Sequence, residues 1–495
     1  MRYVLMTVGL VACPALMVAQ RSVPATLSLA DAIAIAREHN PAYRQTLNNR
    51  GPAAWGVRNA FASLVLPTLT ASGGIGYSGP GQQRFLTANF SQSVATLSSS
   101  YGLGLNWDLS GTTLSQPGLK RAQDNATEAD IAGAATTLVT GVTQQYLTVL
   151  QARENAEVAR KQLNRNEEFL KLAQARYTVG QATLIDVRQA QVARGQAEVA
   201  LLQARTAVSV EKLRLFEQLG VMAPLNVDSI QLTDTFPVQA PAWKLEELLT
   251  MAEAQNPALQ ALRARERAAN WGVRAAASSY GPSLSVSAQW SGFTQKYSNI
   301  DPIIRGQQAQ YSSLYSQCQD DNRIRASVTP PPPLPANDCS VYVWGTSNEQ
   351  AVRSQNALYP FNFTQQPFQA RLTVTLPIWL NFSQPLQVSQ AKANHQNLEE
   401  SVRARGLGVQ TEVSQGFLTV ATAYRTIAIQ DTNRSAAGEQ LQLATERYRV
   451  GSGTFFELLD AQVAGLRAEY DYVAAVYSYH KAVAGLEAAV GRPLR

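Results

Sequence analysis

The chain writes one phrase twice: RYTVGQATLIDVRQAQVA over Arg176–Ala193 and RYRVGSGTFFELLDAQVA over Arg447–Ala464. Each copy places a Val-Gly pair and then a threonine (Val179-Gly180 with Thr183, Val450-Gly451 with Thr454) between two stretches that lack helix breakers. Glycine accepts φ > 0 and exposes its backbone, so the phrase reads as the apex where one helix ends and another runs back. The helix before each apex reads from Gln116 to Arg176 and from Gln384 to Arg447, and the returning helix runs to Leu219 and Val490. About sixty helical residues at 1.5 Å each would reach about 90 Å.

The repetition extends beyond the apex. Asn40-Pro41 returns as Asn256-Pro257, Trp55-Gly56-Val57-Arg58 as Trp271-Gly272-Val273-Arg274, and Ser115-Gln116-Pro117 as Ser383-Gln384-Pro385. Nearly all the extra length of the second half lies between Arg274 and Ser383, so the chain is an internal two-fold repeat with one insertion. That insertion is rich in Pro and Asn, and it carries Cys318 and Cys339. Two cysteines in one irregular segment of an exported chain read as a loop-closing disulfide, and no histidine lies near enough in sequence for a metal pair.

Between the Trp-Gly motif and the long helix of each half, the period changes to two. YGLGLNWDL alternates Tyr101, Leu103, Leu105, Trp107 and Leu109 with small or polar residues, and RLTVTLPI alternates Leu372, Val374, Leu376 and Ile378 with polar ones. LSVSAQW repeats the pattern from Leu284, and LPTLTASGGIGY is a looser version ending near Tyr77. Each half therefore carries one pair of strands, apolar on one face and polar on the other. Aromatics near their ends fit outer-membrane strands, and four strands close no barrel; an open edge is not viable in lipid, so identical copies must share one ring. The helices would continue that ring away from the membrane.

Composition agrees with a chain that meets more than bulk water. Charged residues make up 16% of the 495 residues, against roughly 25% in ordinary soluble domains. The net charge of +6 is spread singly with no basic block, which argues against nucleic-acid binding. The leader MRYVLMTVGLVACPALMVAQ reads as an export signal cut after Ala19; Leu10-Val11-Ala12-Cys13 also reads as a lipoprotein box that would acylate Cys13, with apolar Pro14–Ala19 against it. After it, no run of 18 apolar residues occurs. No P-loop, HExxH, GxSxG or CxxC is present, no metal or cofactor site is read, and no enzyme is expected.

LSLADAIAIAREHNPAY with its partner WKLEELLTMAEAQNPAL, the doubled Tyr-x-Val-Gly apex and the terminal AAVGRPL together resemble the outer-membrane efflux proteins, the TolC family, over essentially the whole mature chain. The resemblance implies a mixed α and β membrane protein: a homotrimer whose 12-stranded transmembrane β-barrel continues into a long periplasmic α-helical barrel. Its parts would be a signal peptide (1–19), an N-terminal equatorial and helical segment (20–66), a first β-hairpin (67–110) and a first helical hairpin (111–220). An equatorial belt (221–256), a helix (257–281), a second β-hairpin (282–380) with an extracellular insertion (297–366), a second helical hairpin (381–491) and a tail (492–495) would follow. The implied partners are a periplasmic adaptor docked on Val179, Gly180, Thr183, Val450, Gly451 and Thr454, an inner-membrane pump of RND or ABC type, and outer-membrane lipid.

The resemblance further places Glu457 and Asp460 on the acidic ring narrowing the periplasmic entrance, Asp186 on the acid of the partner hairpin, and Tyr448 on the gate-locking tyrosine. Relatives with an arginine two residues after the second apex glycine differ here, where Gly453 stands. Any ionic latch would then use Arg447 or Arg449, with Tyr448 hydrogen bonds and the Asp186 network holding the closed state. The implied function is passive exit of small molecules through a tripartite system. A type I protein-secretion outlet and a non-transporting coiled-coil stalk are the rival readings.

Overall fold

The computed structural model describes residues 25–85, 88–92, 94–329 and 335–494, with side chains of 82–93 left aside. The leader, Cys13 included, lies outside the described residues. The chain opens with β1 (Thr26–Leu27), α1 (Leu29–His39), α2 (Pro41–Asn48) and α3 (Arg50–Val65). Strands β2 (Thr68–Ser78), β3 (Gly81–Phe85), β4 (Ala88–Gln92) and β5 (Thr96–Leu109) lead into α4 (Gly111–Thr178) and α5 (Leu184–Leu219). Then come β6 (Gln231–Leu232), α6 (Leu245–Gln255), α7 (Pro257–Ala277), β7 (Ser283–Tyr297), α8 (Asp301–Ser327) and α9 (Thr346–Asn356). Strands β8 (Thr364–Gln365) and β9 (Gln369–Thr375) precede α10 (Ser383–Val450) and α11 (Phe455–Val490). The two long helices have 68 residues each and the two returning helices 36 each.

These elements form two compact units. One unit, residues 58–117 and 274–388, holds an antiparallel sheet ordered β2-β5-β7 with β9, and short β8, beside β7. Its register lines up the two faces predicted by the alternation. Leu69, Leu105, Ala288 and Ala370 form one row; Trp107, Val286 and Leu372 form another, as do Leu109, Leu284 and Val374. Thr68, Asn106, Ser287 and Arg371 share the opposite face, as do Thr70, Gly104, Gln289 and Gln369. Directly opposed residues of an antiparallel pair point the same way, so the pattern yields one apolar and one polar face. The last strand is shorter than RLTVTLPI suggests: it stops at Thr375, and Pro377, which has no N–H for the ladder, lies beyond it with Leu376 and Ile378.

The insertion differs from the irregular loop read in the sequence. Pro302 stands in the first turn of α8, a 27-residue helix that carries Cys318. Cys318 is disulfide-bonded to Cys339 on the returning segment. Beside it Asn322 donates to the Asn337 carbonyl (2.9 Å) and accepts from the Asn337 N–H (2.8 Å). The Asn356 side chain accepts from the backbone N–H of Tyr297 at 2.7 Å, tying α9 to the end of β7. The β3–β4 hairpin is a second feature the alternation did not reveal.

The other unit gathers the remaining residues around three apolar clusters. In the first, Leu27 and Ala32 meet Val142, Tyr146 and Leu150 of α4 and Phe216 of α5. The Tyr146 hydroxyl donates toward the Leu27 carbonyl (2.9 Å) and Asp234 (2.8 Å) inside that core, so its polar tip is satisfied. Burial, reinforced by Asp234, pushes this phenol far above its ordinary value. The second cluster repeats the plan with Leu248 and Leu259 against Val413 and Val420 of α10 and Val483 and Leu486 of α11. The third joins the ends of the two helical hairpins.

Candidate functional site

At both apices the glycine lies in the left-handed region, Gly180 at φ 75° and Gly451 at φ 83°. The chain reverses by the same two backbone bonds: the N–H of Gly180 donates to Tyr177 and that of Gln181 to Arg176, and the N–H of Gly451 donates to Tyr448 and that of Ser452 to Arg447. Each returning helix is then capped by a threonine, Thr183 accepting from the Asp186 N–H and Thr454 from the Glu457 N–H, both at 3.2 Å. Capping leaves the adjoining apolar side chains outside: Val179, Leu184 and Ile185 on one tip, Val450 and Phe456 on the other, are all at least half exposed. Leu184, Ile185 and Phe456 were not singled out in the sequence. They lie within two residues of Thr183 and Thr454, whereas Phe455, directly after Thr454, is buried.

The acids predicted to act together have separate local roles within one chain. Asp186 completes a capping box, accepting from the Thr183 N–H (2.8 Å) and hydroxyl (2.9 Å). Glu457 lies 3.9 Å from Arg447, and Asp460, one turn further along α11, is exposed. Tyr448 is buried, edge-on to Phe455 at 5.6 Å between centroids. Its hydroxyl has no hydrogen-bond partner among the described residues. Burial first, then the nearby Asp186 charge, raises this phenol above its ordinary value, with Arg176 opposing.

Arg176 was missed as a site residue, and it spans the two tips. Its guanidinium sits over the Tyr448 ring, 4.6 Å from the centroid, donates to the Tyr448 carbonyl, and reaches the Gln181 carbonyl of its own tip at 3.1 Å. Phe169, Ala173 and Val187 of the first hairpin complete an apolar seat with Tyr448, Phe455 and Leu458 of the second. Gly453 fits this packing closely. A Cβ there would stand 3.1 Å from the Arg447 Cβ and 3.2 Å from the Tyr448 nitrogen, so an arginine at this place would need those neighbours to give by a few tenths of an ångström.

No helix among the described residues is long and apolar enough to cross a membrane. The two-faced sheet is the element suited to lipid, and with paired helical hairpins it defines the class of outer-membrane channel proteins. Residues 31–221 and 343–492 match the family described as outer membrane efflux protein, and the chain belongs to that family. It is a protein of the cell outer membrane. The pyoverdine export outer membrane protein OpmQ of Pseudomonas aeruginosa is 33% identical over 165 residues. That match spans 30% of this chain and 33% of OpmQ, about a third of the relative's length. Among solved structures, the outer-membrane channel OprN is 17% identical with a TM-score of 0.68, over 94% of this chain and 89% of that one. VceC of Vibrio cholerae is 17% identical with a TM-score of 0.67, over 94% and 97%. The open-state outer-membrane channel MtrE of Neisseria gonorrhoeae is 19% identical with a TM-score of 0.65, over 94% and 89%. At these identities the structures establish the shared fold.

Proposed function

We propose that the chain is the outer-membrane exit duct of a tripartite efflux system, working as a homotrimer that passively conducts small molecules handed over by a pump and a periplasmic adaptor. The observation that carries this reading is the sheet. Its apolar rows suit lipid, yet β2 and β9 each have only one neighbouring strand of the sheet among the described residues, with β8 also lying beside β7. Unpaired backbone groups cost several kcal/mol each in hydrocarbon, so such edges call for another copy. Three copies joined β2 to β9 give a barrel of twelve strands, with its polar rows facing the lumen. Family membership and the export role named for OpmQ support small-molecule cargo over a secreted protein.

The tips are the gate and the docking surface in this reading. Val179, Gly180, Thr183, Val450, Gly451 and Thr454 present capped turns with exposed apolar neighbours to an adaptor. Asp186, Glu457 and Asp460, multiplied by symmetry, narrow the mouth and favour cations. Tyr448 acts through packing, as the surface on which Arg176 couples one hairpin to the other. The mass of the detergent-solubilised full-length particle tests the assembly: three chains, extractable by detergent and not by urea, are expected. Release by urea supports the trimeric stalk reading, and either that release or a single-chain particle overturns the duct.

A further inference from the structure

No metal site is read in the sequence: the three histidines, His39, His395 and His480, all lie away from the cysteine-bearing insertion. Folding changes the surroundings of one of them. His395 lies on α10 with Glu399 one turn later, and α7 brings Glu266 against the same imidazole. Nε2 of His395 is 2.7 Å from a Glu266 carboxylate oxygen, and Nδ1 is 3.7 Å from a Glu399 oxygen. One donor atom from each of the three side chains lies within 4.8 Å of the other two.

We propose that Glu266, His395 and Glu399 form a binding site for a divalent transition cation, best suited to zinc, that staples α7 to α10. Three features support the assignment. The donor set is one imidazole nitrogen and two carboxylate oxygens, a combination that zinc takes with water in a fourth, open position. Magnesium and calcium instead prefer six or more oxygen ligands, which this site lacks. The i,i+4 spacing of His395 and Glu399 places both on one face of α10. Zinc–ligand bonds near 2.1 Å put tetrahedral donors about 3.4 Å apart, so the Glu399 oxygen, within 4.8 Å of the other donors, would close by no more than about 1.4 Å while the 2.7 Å Glu266–His395 contact opens by about 0.7 Å. Glu399 can make that movement: its side chain is 55% exposed and has no other ion pair among the described residues, whereas His395 and Glu266, at 19% and 25%, are held between the helices. The rival arrangement is a plain hydrogen-bonded Glu266–His395 pair that needs no ion, with Glu399 an exposed bystander.

Calorimetric titration of tag-free, full-length protein in detergent with zinc chloride separates the two. Saturable binding is expected at one zinc per chain, undiminished by excess magnesium, and weakened roughly tenfold or more by Glu399→Gln and by His395→Asn. Glu399→Gln is the decisive variant. It leaves the Glu266–His395 contact and the folded surface in place, which its unchanged circular dichroism would confirm. Zinc should also raise the thermal unfolding midpoint of the wild type and not of this variant. Absence of saturable binding, or zinc binding by Glu399→Gln as tight as by wild type, overturns the proposal. Neither result touches the duct reading, which the particle mass and channel measurements decide.

Discussion

Arg176 and Arg447 open the same phrase, yet they have different jobs. Arg176 reaches across to the Tyr448 carbonyl and ring, while Arg447 stays beside Glu457. A charge-assisted hydrogen bond and a cation–π contact of this kind together hold about 2–3 kcal/mol against local opening. Arg176→Ala should therefore speed amide exchange in residues 447–453 by roughly thirtyfold or more, the least that this energy implies, with far smaller change in the core around Tyr146. Unchanged exchange at the tip would mean that the apolar seat alone holds the hairpins. The phrase made the apex glycines, the tip threonines and the acids legible. It could not separate two arginines of similar local sequence, because what distinguishes them is the hairpin each one faces. Thr183 and Asp186, three apart, also carried the signal of a capping box, which went unread; that the Tyr448 ring is enclosed could not be told, since it depends on where Phe455 and Arg176 arrive.

At the level of elements, alternation of period two revealed the strands of the sheet and which face of each is apolar. The register follows from that alternation, since a slip by one residue would turn every row to the wrong side. This gives a paired test on neighbouring residues of β5. Leu105 lies in an apolar row and Asn106 in a polar one. An arginine on the lipid face costs about 2–4 kcal/mol at mid-depth and little in the lumen. Leu105→Arg should sharply reduce the folded protein recovered from outer membranes, and Asn106→Arg should leave it near wild type; equal recovery of the two would place lipid on the other face or on neither. The long helices were legible to within a few residues at their ends, from the absence of breakers. Helix α8 was not, because Pro, Asn and Gln dominate its neighbourhood and its apolar residues are too sparse for a clear stripe. Its order comes from the disulfide and from the asparagine contacts of its return segment.

For the whole molecule, family membership fixes the class, and the unpaired strand edges argue for shared assembly. In the proposed homotrimer, symmetry would make three-fold whatever one tip presents. The acids Glu457 and Asp460 are exposed on α11, and in a ring they would set the charge of the narrowest passage. Single-channel recording of the purified full-length protein in a planar lipid bilayer, wild type beside Glu457→Ala/Asp460→Ala, tests this most directly. The account predicts a small, cation-selective conductance in wild type that grows or loses its selectivity in the double variant. A wild-type protein that opens no channel would contradict the duct itself, and a double variant indistinguishable from wild type would contradict the acidic gate.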